Sequence, residues 1–262
     1  MNAVKKMKDV MSVNFPSELI MQHPFVAGAA GISAGAALAI WYGVLYSGSS
    51  VVAPVIKTIY PHKAVALTFD DGPTPRFTDR VLDILRQHHA HASFFLIGSQ
   101  VKRYPELVHR MIAEGHTVGN HTWDHDHHGV WHGEAYWRDQ LQRTSAALAE
   151  IIGREPTLFR APMGFKTPPQ ARAVRKSAMR YIAWRVRAWD TLKISPRTIC
   201  RIVTSQIRPG DIVTLHDGLE PARRNCSQES TVQALPEILK ILKSRGLASM
   251  SLEQALESPV YQ

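Results

Sequence analysis

The chain has 262 residues, 45% hydrophobic and 20% charged. This composition excludes disordered, collagen-like and disulfide-framework classes and suits one sizeable α/β domain with an appendage. Its formal net charge of +9 is concentrated in residues 138–208, which hold fifteen Lys and Arg against four acidic residues. No nucleic-acid recognition motif or aromatic-interleaved basic stripe accompanies that charge, so no nucleic-acid partner is expected. Cys200 and Cys226 neither require nor exclude an oxidising compartment.

Residues 1–24 read as a tail carrying Lys5, Lys6 and Lys8. Residues 25–46 are free of charge, rich in Ala, Gly and Ile, and end in Trp41, Tyr42 and Tyr46. A helix of that length spans about 33 Å, enough for the hydrocarbon core of a bilayer. The expectation is a single-pass signal-anchor in the inner (cytoplasmic) membrane, with the following domain outside the cytoplasm; a cleaved signal peptide and a soluble helical appendage are the alternatives. Residues 47–62, with Ser-Gly-Ser-Ser and Pro54, read as a linker, leaving 63–262 as the globular domain.

Within 63–262, strand-like runs alternate with helix-like stretches. Ala64–Phe69 reads as a strand, and Pro75–His88 places Phe77, Val81, Ile84 and Leu85 on one helical face. His91–Ile97 predicts a strand, Pro105–Glu114 a helix, His116–Gly119 a short strand, His132–Ile152 a longer helix and Leu158–Arg160 a strand. If Pro169–Met179 is helical, Arg172, Arg175, Lys176 and Arg180 share a basic face, either solvated or directed at an acidic surface. Ile199, Ile202, Val203 and Ile207 predict a helix, Asp211–Leu215 a strand, and Val232, Leu235, Leu239 and Leu242 a last helix. The alternation predicts parallel strands with helical crossovers, as a barrel or a doubly wound sheet.

Polar motifs follow these strands: Asp70-Asp71, His121, Arg160, Asp190 and His216. Sites in parallel α/β folds gather at the carboxyl ends of strands. Asp70 and Asp71 close the run Ala64–Pro73, and His121 and His125 stand four residues apart about fifty residues later. One Asp and two His form the ligand set of a catalytic zinc-like ion, leaving the other Asp to act on a bound water. Trp184 and Trp189 read as walls of a ligand cleft or as core.

TFDDGP, HTWDH, RAPMG and LH, in this order, resemble the NodB-homology polysaccharide deacetylases, carbohydrate esterase family four. The resemblance covers about 63–251 and implies an α/β fold, a distorted, incomplete (β/α) barrel. It implies Asp71, His121 and His125 as ligands of one divalent ion, zinc with cobalt or nickel as alternatives. It further implies Asp70 as general base, Arg160 as the group paired with it, His216 as general acid and Asp190 as the carboxylate orienting that acid. Pro162, Met163, Leu215 and Trp189 are implied to contact substrate, Leu215 in an acetyl-methyl pocket and Met163 through its backbone N–H. The implied reaction removes N-acetyl groups from amino sugars of a polysaccharide or cell-envelope glycan. The alternatives are deacetylation of a lipid-linked sugar, or a non-catalytic glycan-binding module. The sequence departs from the family pattern in three places: Arg187 stands for an Asp, Thr191 for a Trp, and Met163 for an aromatic.

Overall fold

A computed structural model of the chain describes residues 42–60, 62–218, 227–256 and 258–262. Most of the expected signal-anchor, residues 25–41, and Cys226 lie outside the described residues. Among the described residues no helix is long and apolar enough to cross a membrane. Residues 43–262 form one compact unit.

The sheet grows around β2 (Ala64–Asp70), seven consecutive buried residues. A strand buried on both faces suits a parallel sheet covered by crossover helices. Helix α1 (Pro75–Gln87) starts with proline in its first turn and buries Phe77, Val81, Leu82 and Leu85. After it come β3 (Ser93–Leu96), α2 (Gly98–Arg103), α3 (Pro105–Ala113) and β4 (Thr117–Asn120). Helix α4 (Glu134–Ile152) stops at Gly153, whose φ of 75° is the left-handed cap that glycine accepts without penalty. Next are β5 (Leu158–Phe159) and α5 (Pro168–Lys176), where the Thr167 hydroxyl accepts from the Gln170 N–H. The chain ends with β6 (Arg180–Ile182), β7 (Val186–Arg187), α6 (Pro196–Gln206), β8 (Ile212–His216), α7 (Glu229–Ser244), β9 (Ala248–Ser249) and α8 (Leu252–Ala255).

Strand β1 (Val55–Ile56) begins the sheet order β1-β6-β5-β4-β3-β2-β8-β7, with β9 also on β2, and every pairing is parallel. This is a distorted, incomplete (β/α) barrel. Its core runs from Phe69, Phe94 and Phe95 in the central strands to Val81, Leu235 and Leu239 on the covering helices.

Residues 47–62 are not the expected tether. β1 pairs with β6, Ile59 is buried, and its N–H donates to the Gly210 carbonyl. The Lys166 ammonium donates to the carbonyls of Tyr46 (3.0 Å) and Ser47 (2.7 Å). Apolar side chains and backbone groups that find partners in the sheet edge overcome the looseness that Ser-Gly-Ser-Ser suggests. The basic face of α5 is also largely committed. Arg172 and Lys176 both pair with Glu134 of α4, and Arg180 bonds to Ser258 and the Pro259 carbonyl. Cys200 is a buried free thiol.

His116 gives the fold a pH dependence. Its ring packs edge-on to Phe94 at 5.5 Å, and the Ala92 N–H donates to Nδ1 at 3.2 Å. Burial, reinforced by His91 and Arg110, lowers its pKa from 6.5 to about 4. The folded state thus holds it neutral where the unfolded chain takes up a proton, so stability present above pH 6.5 is lost as pH falls toward 4. The loss attributable to this ring is on the order of 3 kcal/mol. Urea unfolding at pH 7.5 and 4.5 checks it: His116→Gln should lose less stability across that interval than the parent chain. Equal losses would remove His116 as the cause.

Candidate active site

Strand β2 ends on Asp70, and its register with β8 sets Asp70 against His216. Consecutive residues of a strand normally point to opposite faces. Asp71 escapes this by turning to φ 72°, a left-handed conformation that Asp tolerates better than most residues, so both carboxylates reach one cavity. The turn is packed from behind by Gly218, where a Cβ would sit 2.1 Å from the Asp71 carbonyl oxygen.

His121 follows β4 directly. Asn120 anchors the turn: its Oδ1 accepts from the Thr122 N–H, and its Nδ2 donates to the Leu141 carbonyl and the Ser145 hydroxyl. The His125 N–H donates to the Thr122 hydroxyl, and Thr122 and His125 both adopt positive φ. His121 Nδ1 donates to the Arg160 carbonyl at 2.8 Å, which leaves Nε2 as the ring's free lone pair.

Both Nε2 atoms, of His121 and His125, lie 3.4 Å from Asp71 Oδ1. All three side chains are buried, and their ligand atoms lie within 4.8 Å of one another. Asp71 Oδ1 is buried yet has no hydrogen-bond partner. An orphaned carboxylate oxygen facing two imidazole nitrogens fits a divalent cation with open positions. Burial would raise the pKa of Asp71, but His125 and His121, with His216, hold it well below the usual carboxylate range.

Asp70 is held differently. Arg160 is completely buried and donates from one guanidinium nitrogen to Asp70 Oδ1 at 2.6 Å and to the Thr68 hydroxyl at 2.7 Å. Its other N–H groups reach the carbonyls of Ile182 and Ala183, and its guanidinium carbon lies 4.1 Å from the Phe95 ring centroid. The Thr214 hydroxyl donates to Asp70 Oδ2 at 3.2 Å. Opposite, His216 Nδ1 donates to Asp190 Oδ1 at 2.8 Å, while Asp190 Oδ2 accepts from the His216 backbone N–H and the Thr231 hydroxyl. Burial opposes charge on His216, but Asp190 outweighs it, with help from Asp71 and Asp70, and its pKa is pushed up to about 9.

A cavity of about 240 Å³ joins these groups, lined by Asp70, Asp71, His121, His125 and His216, with Met163, Trp184 and Trp189 in its wall. Arg160 and Asp190 stand behind it, each bonded to a residue that lines it. Leu215 does not line the cavity. In β8, Thr214 and His216 face it, and Leu215 between them points by strand alternation into the core. Pro162 is buried in the turn and is likewise absent from the wall, where Ala161 and Met163 appear instead.

Two residues, Thr214 and Asp217, were missed by sequence reasoning. Thr214 was legible from the period of two counted back from His216. Arg187, noted in the sequence as a departure from the family pattern, lines the cavity too, where β7 places it. Asp217, directly after His216, is buried and accepts from the Thr78 hydroxyl at 2.5 Å. Burial, opposed by that bond and aided by Asp71, raises its pKa to about 7.

A family model described as polysaccharide deacetylase matches residues 57–182. The chain is 38% identical over 199 residues to a chitooligosaccharide deacetylase of Bradyrhizobium sp. (strain ANU 289), covering 73% of this chain and 90% of that one. It is 35% identical to a peptidoglycan-N-acetylglucosamine deacetylase of Bacillus cereus, covering 74% and 88%. Its fold is similar to the crystal structure of the Bc1960 peptidoglycan N-acetylglucosamine deacetylase, with TM-score 0.73 and 30% identity over 79% of this chain and 94% of that one.

Proposed function

The chain belongs to the polysaccharide deacetylase family, and from that premise we propose that it removes N-acetyl groups from amino sugars of a cell-envelope glycan, with Asp70 as base and His216 as acid. The observation that carries this reading is the orphaned Asp71 Oδ1 between His121 and His125, in a cavity shared with Asp70 and His216. The two named deacetylases support an N-acetylated oligosaccharide or peptidoglycan as substrate class. The 22 uncharged residues 25–46 support a membrane span, and Lys5, Lys6 and Lys8 before them support a site on its outer side.

Asp71, His121 and His125 would hold the divalent ion, with zinc as the proposed metal. Such an ion supplies Lewis-acid chemistry, polarising an acyl oxygen and making water more acidic. Asp70, fixed by Arg160 and Thr214, takes a proton from the attacking water. His216, charged at neutral pH and turned by Asp190 so that Nε2 is free, gives a proton to the departing sugar amine. Arg160 reaches no reacting atom; it positions Asp70.

The purified chain loaded with zinc should release acetate from an N-acetylglucosamine oligomer. Chelation should abolish release, and added zinc or cobalt should restore it. Undiminished release after complete metal removal, or glycan binding without release from any oligosaccharide, peptidoglycan or glycolipid, would overturn the reading.

A further inference from the structure

The catalytic cavity holds one cation that the proposed chemistry does not use. Arg187 ends β7, is half-buried, and lines the cavity beside Trp184 and Trp189. Its guanidinium carbon lies 4.5 Å from the Trp189 ring centroid and 5.8 Å from that of Trp184. Among the described residues it forms no ion pair, and its buried Nε has no hydrogen-bond partner. The two nearest catalytic carboxylates are engaged elsewhere, Asp70 by Arg160 and Asp190 by His216.

Several other guanidinium groups of this fold are matched by acids, among them Arg160 by Asp70, Arg185 by Asp211, and Arg110 by Asp79, Asp83 and Glu114, while Arg180 and Arg245 bond to hydroxyl or carbonyl oxygens. Burial lowers the pKa of Arg187, and the through-space attraction of Asp190 and Asp70, together with the aromatic faces, offsets only part of that cost. Stacking also leaves the in-plane N–H donors of a guanidinium free, in the fork that matches a carboxylate or phosphate.

We propose that Arg187 is a specificity residue that receives an anionic oxygen group, carboxylate or phosphate, carried on the acetamido sugar or on its neighbour. The substrate favoured by this site is then an anionic N-acetylated glycan over a neutral one. This rests on the deacetylase reading. The competing role is that Arg187 merely balances the charge of Asp70 and Asp190, which would affect all substrates alike.

The test uses the full chain loaded with zinc and three substrates: neutral triacetylchitotriose, N-acetylglucosamine 1-phosphate, and a peptidoglycan disaccharide bearing the muramic carboxylate. The parent chain should show kcat/KM at least about 10-fold higher for one anionic substrate than for the neutral one, the discrimination that a charge-assisted hydrogen bond supplies. Whichever anionic substrate responds identifies the source of the oxyanion. Arg187→Gln should collapse that ratio toward one, chiefly through KM, and Arg187→Lys should keep part of it. Calorimetric binding of the same anionic sugar to the metal-free chain should weaken in Arg187→Gln and with added salt.

Absence of anionic preference in the parent chain, or survival of the full ratio in Arg187→Gln, would overturn the proposal. Acetate release from the neutral sugar without any anionic preference would leave the deacetylase reading standing and this one refuted. Failure to release acetate from any substrate would sink the deacetylase reading, and the binding measurement would still decide the role of Arg187.

Discussion

Asp70→Asn should lower kcat for acetate release by about 10²–10⁴-fold, the range that a positioned general base contributes. An amide keeps the shape of the carboxylate and can still accept the hydrogen bond from Arg160, but it cannot take a proton from water. The variant should still bind one zinc, because Asp71 and not its neighbour faces the two imidazoles. Acetate release measured with zinc content on the same sample separates the two carboxylates. Full activity would move the base elsewhere, and loss of zinc would reverse the assignment of Asp70 and Asp71.

Arg160→Met should be the most destabilising single change in the site. The guanidinium is completely buried and bonds to residues of β2 and β8, to the Ile182 carbonyl of β6 and to the Ala183 carbonyl beside it. Removing one member of a buried pair leaves the other charge unpaired, at a cost of about 3–5 kcal/mol. For a domain of this size that lowers Tm by roughly 10 °C. Arg160→Lys should recover little of it, since one ammonium cannot reproduce a planar fork spread over five acceptors. Calorimetric melting checks both variants. A Tm within 2–3 °C of the parent chain, roughly the shift expected for 1 kcal/mol, would show the pair to be structurally dispensable.

The chemistry-bearing motifs were legible because each lies just beyond a strand whose apolar run marks it in the sequence. Asp71, His121 and His125 were read from residue type and spacing, and the structure brings them within 4.8 Å. Asp190 was harder: it follows a two-residue strand, and it meets His216 only because β7 lies beside β8. Leu215 was misassigned because a motif read as adjacent letters ignores the period of two, which turns Thr214 toward the site and Leu215 away from it. Residues 47–62 were misread because a two-residue strand has no periodicity to detect. Its place depends on β6, more than a hundred residues later.

The order of residues alone determined the candidate ligand types, the carboxylate pair and the alternation of strands and helices, which left a barrel or a doubly wound sheet until the family resemblance pointed to the barrel. These are local properties, carried by short motifs and by the repeat of apolar side chains. Strand order belonged to the tertiary structure. β8 lies next to β2, which sets His216 against Asp70 across 146 residues of chain. Arg160, two strands beyond β3, enters the space beneath them. Such neighbours are chosen by the burial of whole faces and by sheet pairing, for which a linear sequence has no short-range signal.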